Sequence, residues 1–133
     1  MKRVYSFEEA SAILPLLRAI AAEFVERRKA RRTLHRERAE LEDARTPEGL
    51  TQNLAELDAR IYEHDQALRS CREEFEALGM NVLRNHPLTV HIPGHSRSGP
   101  VTFCWEEGEE ALGHGHEVGH EKEQRRQLKL KAG

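Results

Sequence analysis

The side chains best suited to chemistry gather toward the C-terminal end. His86, His91, His95, His114, His116 and His120 all lie between residues 86 and 120. The densest stretch is His114-Gly115-His116-Glu117-Val118-Gly119-His120. Neutral imidazole ligates Zn²⁺, Ni²⁺ or Cu²⁺, and carboxylates can complete the shell. His116 to His120 has the H-E-x-x-H form. In a zinc protease that spacing puts two imidazoles on one helix face, with the glutamate beside the bound water. The mechanism needs a stable helix, and Gly113, Gly115 and Gly119 each oppose one by about 1 kcal/mol against Ala. A strand suits the segment better, because His114 and His116 then project to one face. The expected site is therefore a plain metal site of His114, His116, Glu117 and His120, taking a divalent transition metal such as Zn²⁺. His91 is a further partner, and Cys104 is a ligand if it lies near His91. The competing reading is a flexible His-rich segment that binds metal incidentally. No catalytic residue is expected, and a metal-dependent hydrolase ranks below plain metal binding.

Short strands must position these residues. Leu88-Thr89-Val90-His91-Ile92 alternates, with Leu88, Val90 and Ile92 on one face. Val101-Thr102-Phe103-Cys104-Trp105 alternates too, with Val101, Phe103 and Trp105 inward. His91, Thr102 and Cys104 then share the opposite face. The Pro, Gly and Ser residues of 93–100 predict a hairpin with a longish loop. Met80–Leu83 is a short strand candidate before it, and 110–115 a third strand after it. From Glu121 the tail is polar and basic. A two-stranded sheet is marginal alone, so its apolar face is expected to dock on helices.

The first half predicts those helices. Ser6-Phe7-Glu8-Glu9 has the capping-box form, so a helix starts at Phe7. Pro15 lies inside it and predicts a kink. Residues 45–49, with Thr46 as N-cap and Pro47 at the first helical position, break it from a second helix. There Leu50, Leu54, Leu57, Ile61, His64, Leu68, Cys71, Phe75 and Leu78 make an unbroken a/d stripe. Gly79 suits the left-handed position that ends it. Short connection makes the helices antiparallel. Arg27, Arg28 and Arg31 occupy the seam of the first helix opposite Ile61 and His64, with Glu56, Asp58, Glu63 and Asp65 on the facing part of the second helix available to answer basic charge. His64 is read as a structural seam residue and Cys71 as a core thiol.

The fold expected is mainly α, in an α+β arrangement: a long antiparallel helical hairpin with a small C-terminal antiparallel β element. The 133 residues read as a single domain. It comprises a hairpin over 6–79, a β and loop cap over 80–120, and a tail over 121–133. Charged residues make up 33% and net charge is −2 with His neutral, which gives no global pull toward nucleic acid. No apolar run reaches membrane-spanning length, so no membrane partner is expected. No signal peptide is read at the N-terminus, and the cytoplasm is the expected location. The stripe on the second helix exceeds what the polar middle of the first can cover. A helical interaction or oligomerisation module, a homodimer first, is thus the leading functional reading, with metal binding the alternative.

Ser6-Phe7-Glu8-Glu9-Ala10, followed by Ile13-Leu14-Pro15-Leu16-Leu17, resembles the start of a bacterial family of uncharacterised proteins, domain of unknown function 2203. Cys104-Trp105-Glu106-Glu107-Gly108-Glu109, then His116-Glu117 and Gly119, resemble its ending in the same order. The family pattern continues with an aromatic residue, where this chain has His120. The resemblance covers roughly residues 5–119. It implies the fold and a bacterial cytoplasmic protein, and it carries no activity with it.

Overall fold

A computed structural model describes residues 3–44, 50–118 and 126–128. Among these residues the chain forms two α-helices and five strands. They are α1 (Phe7–Ala44), α2 (Leu50–Ala77), β1 (Asn81–Asn85), β2 (Leu88–Ser96), β3 (Gly99–Glu106), β4 (His114–Glu117) and β5 (Arg126–Gln127). The expected break at Thr46 and Pro47, His120 and most of the basic tail lie outside the described residues.

The capping box forms as its sequence dictates. The Ser6 N–H donates to Glu9 Oε1 at 3.0 Å, and the Glu9 N–H donates to Ser6 Oγ at 3.1 Å. These bonds satisfy amides that a helix start otherwise leaves to water. The Ser6 backbone N–H, then its hydroxyl, hold the Glu9 carboxyl below the ordinary glutamate range. The helix runs on through Pro15, which is exposed. At the other end α2 closes in a Schellman motif. The Met80 N–H donates to the Phe75 carbonyl and the Gly79 N–H to the Glu76 carbonyl, both at 2.9 Å. Gly79 has φ +79°, the left-handed conformation that glycine adopts without a Cβ clash.

By contact the chain sorts into two compact units, Ala22–Cys71 and Met1–Ala21 with Arg72–Gly133. In the first unit the helix middles pair antiparallel. Ile61 and Leu34 are buried there, while Leu50, Leu54, Leu57, His64 and Leu68 are half-buried. The stripe thus separates the covered from the exposed face of α2. Basic residues in the α1 seam meet acceptors on α2. Arg27 NH1 lies 3.4 Å from His64 Nδ1, Arg31 pairs with Asp65, and Arg38 Nε donates to Asp58 Oδ1 at 2.6 Å. These are exposed or half-exposed pairs, worth little to stability individually.

The second unit holds the sheet, whose order among the described residues is β1-β2-β3-β4-β5, all antiparallel. β1 pairs with β2 across His86-Pro87, whose peptide bond is cis. Leu83 is the extra residue where its register shifts, and it is exposed. The β2–β3 connection corrects the sequence expectation. Residues 93–96 and 99–100 belong to the strands, and the loop is only Arg97-Ser98. The β2–β3 ladder continues to Ser96 and Gly99, and the chain start adds to it on the other side. Tyr5 lies parallel beside Gly94, its N–H donating to the Pro93 carbonyl at 2.9 Å and its carbonyl accepting from the His95 N–H at 3.0 Å. A proline has only its carbonyl to offer, and Tyr5 uses it. Gly94 fits because a Cβ there would stand 2.3 Å from Phe103 Cε2 and 2.9 Å from the Tyr5 carbonyl oxygen.

Leu88, Val90, Ile92, Phe103 and Trp105 are buried, as the alternation requires, whereas Val101, also expected inward, is half-buried. Phe7 of α1 meets Phe103 edge-on, with ring centroids 6.2 Å apart. The sheet's apolar face therefore docks against the start of α1 within this unit. His91, Thr102 and Cys104 occupy the other face and are buried as well.

Candidate metal centre

Register decides which polar residues of that second face meet. His91 on β2 pairs directly with Cys104 on β3, and Cys104 with His114 on β4. His116 pairs with Thr102, one row along. One ligand atom each from His91, Cys104 and His116 lies within 4.8 Å of the other two. The three residues are 6%, 1% and 5% exposed. The His91 and His116 rings have centroids 5.2 Å apart, their planes tilted by 52°. Cys104 carries a thiol and forms no disulfide. Two imidazoles and one thiol at this separation are a soft-to-borderline donor set suited to Zn²⁺ or copper rather than Mg²⁺ or Ca²⁺.

Of the four residues expected from spacing, His116 enters this cluster. His114 shares the strand but is half-exposed, and its Nδ1 lies 3.0 Å from Glu109 Oε2. Glu117 is the last residue of β4, opposite Val101. His120 lies outside the described residues. The start of the H-E-x-x-H pattern is therefore strand, in line with the glycines around it. His91 and Cys104 stood outside the four-residue set. Alternation put both on one face, but only the register makes them direct partners.

The turn after β3 explains the Cys-Trp-Glu-Glu-Gly-Glu run. The Trp105 indole N–H donates to the Glu109 carbonyl at 3.0 Å, and Glu109 Oε1 accepts from the Glu106 N–H at 2.7 Å. Glu107 Oε1 accepts from the Leu88 N–H at 2.6 Å, and the Leu88 carbonyl accepts from the Glu107 N–H at 2.9 Å. Gly108 has φ +94°, which the tight turn needs and a side chain would oppose. These bonds tie the end of β3 to β2, and so hold Cys104 opposite His91.

A groove of about 740 Å³ adjoins the cluster through His91 and is also lined by Thr102. Its other walls include Met80, Pro93 and Val101.

No curated protein and no solved structure matches the chain. The family described as "Uncharacterized conserved protein (DUF2203)" matches residues 3–128. That span takes in both helices, the strands and all three clustered residues, and the chain belongs to this family.

Proposed function

We propose that this chain is a metal-binding protein whose centre is held by His91, Cys104 and His116. One observation carries the reading: three buried donor side chains from three adjacent strands converge within 4.8 Å. Around tetrahedral Zn²⁺, nitrogen and sulfur donors stand roughly 3.3–3.6 Å apart, given bond lengths near 2.0 and 2.3 Å. Small rotations about the side-chain bonds close that difference. The ion is a divalent transition metal such as Zn²⁺, with Cys104 bound as thiolate and both histidines neutral. Of the residues proposed from spacing, His116 ligates. His114, on the same strand, is a nearby donor whose loss should cost less.

Elemental analysis and calorimetric titration of untagged protein test this. One Zn²⁺ per chain, lost in both Cys104→Ser and His116→Ala, supports the centre. Weak binding of non-integral stoichiometry, unchanged by either substitution, returns the cluster to incidental His-rich chemistry.

A second reading concerns the helices. Leu50, Leu54 and Leu57 remain only half-buried on α2, and this favours an interaction module in which a second copy covers the stripe. The expected state is a homodimer, and light scattering at micromolar concentration distinguishes it from a 15.3 kDa monomer.

A further inference from the structure

Among the described residues, little apolar burial holds β4. The strand is four residues long, and β5, which pairs with it, is two. Gly115 brings no side chain, and a Cβ there would stand 2.9 Å from the Thr102 carbonyl oxygen. His114 is half-buried beside Glu109. Of the β4 side chains that the structure describes, His116 alone is buried, and it is polar. β2 and β3, by contrast, set Leu88, Val90, Ile92, Phe103 and Trp105 in the apolar core. Strands that share a ladder but not a core open at different free energies, the thinly packed one first.

The clustered donors are spread over three strands, His91 on β2, Cys104 on β3 and His116 on β4. β2 and β4 share no ladder, since β3 runs between them. An ion held by all three donors therefore joins β4 to β2 as well as to β3. A further donor from elsewhere would tighten the ion without changing which strands these three join. β1 offers the contrast. It is five residues long, exposed along most of its length, and carries none of the three donors.

We propose that metal at His91, Cys104 and His116 is a staple for β4. Bound metal locks β4, and β5 with it, onto the β2–β3 pair. Loss of metal lets that C-terminal ribbon open while β2 and β3 stay paired. This rests on the metal-binding reading above and adds to it what the ion controls.

Hydrogen exchange on the untagged full-length chain tests the staple. It is measured with free Zn²⁺ at about 100 times its dissociation constant, and again after a chelator has removed the metal. An opening that breaks the centre is slowed by about the ratio of free metal to dissociation constant, on the order of 100-fold. Zn²⁺ should slow β4 amides at least about tenfold and β1 amides less than about twofold. His116→Gln keeps a polar side chain at the position and removes the imidazole, so Zn²⁺ should no longer slow β4. The comparison on the unsubstituted chain decides the matter even where His116→Gln fails to fold. Zn²⁺ binding in the calorimeter with β4 exchange unchanged would overturn the staple and leave the metal centre standing. Equal slowing of β1 and β4 would overturn it too, because the sheet would then open only as a whole. Slowing of β4 that survives His116→Gln would overturn His116 as the link. No Zn²⁺ binding at all would overturn the metal centre and this inference together.

Discussion

His91 and His116 bring their ring centroids to 5.2 Å although β3 runs between their strands. They sit in neighbouring rows, His91 opposite Cys104 and His116 opposite Thr102, so the contact is diagonal across the middle strand. Cys104 is the direct cross-strand neighbour of His91. The arrangement needs three strands in one register, and a slip of one residue in β4 would send His116 to the other face.

The cluster predicts a hierarchy of ligand losses. His91→Ala, Cys104→Ser and His116→Ala should each lower Zn²⁺ affinity by at least about 100-fold, more than the loss of an outer-shell partner costs. His114→Ala should change it by only a few fold, because His114 faces Glu109 outside the cluster. Competition against a chelator of known affinity reads all four. A loss at His114 equal to that at His91 would move the centre toward the outer end of β4.

Gly94 predicts a steric failure. A methyl group there would meet the Phe103 ring and the Tyr5 carbonyl, the latter fixed by its bond from the His95 N–H. Gly94→Ala should cost about 1–3 kcal/mol of stability by overpacking. Chemical denaturation measures it, and Gly99→Asn at the start of β3 is the control. That position has φ +115°, which asparagine tolerates better than most side chains, and nothing lies within 4 Å of a Cβ there.

Asp58 predicts a pH signature in the helical hairpin. Its hydrogen bonds from Arg38 hold the carboxyl below the ordinary aspartate range, and the same contact raises the Arg38 guanidinium. A carboxyl lowered on folding adds stability above its unfolded pKa. That contribution falls away as the pH drops through the folded value. Carboxyl-carbon NMR should therefore show Asp58 titrating at lower pH than a free aspartate. Arg38→Gln should return it to the ordinary range.

Much of the fold was legible because local rules agreed with packing. Ser6 and Glu9 had the spacing of a capping box, Gly79 the place of a helix terminator, and the leucines of α2 an unbroken stripe. Each signal lives within one element. The hairpin loop was misread because Pro93, Gly94 and Pro100 are turn residues by local preference. The ladder with β3 makes 93–96 a strand, and Tyr5, far away in sequence, adds a bridge on its other side at Gly94. The candidate site was half legible for the same reason. His116 stood out by its neighbours. Joining it to His91 and Cys104 required a register between strands that alternation alone does not give.

The helix seam gives the last prediction. Phe75 is fully buried in the sheet-bearing unit, and its carbonyl also accepts the Met80 N–H that closes α2. Leu68 occupies the same stripe in the other unit but is only half-buried. Equal treatment of the stripe would make both alanine substitutions equally damaging. Burial separates them. Phe75→Ala should cost about 3–5 kcal/mol, the range for removing a buried aromatic. Leu68→Ala should cost about 1–2 kcal/mol, because part of its surface is already in water. Because the two sites fall in different compact units, hydrogen exchange adds a second readout. Phe75→Ala should speed exchange most in β2 and β3, and Leu68→Ala in the middle of α2. Equal losses of stability would mean that a second chain buries Leu68, and the dimer would then appear by light scattering at the same concentration.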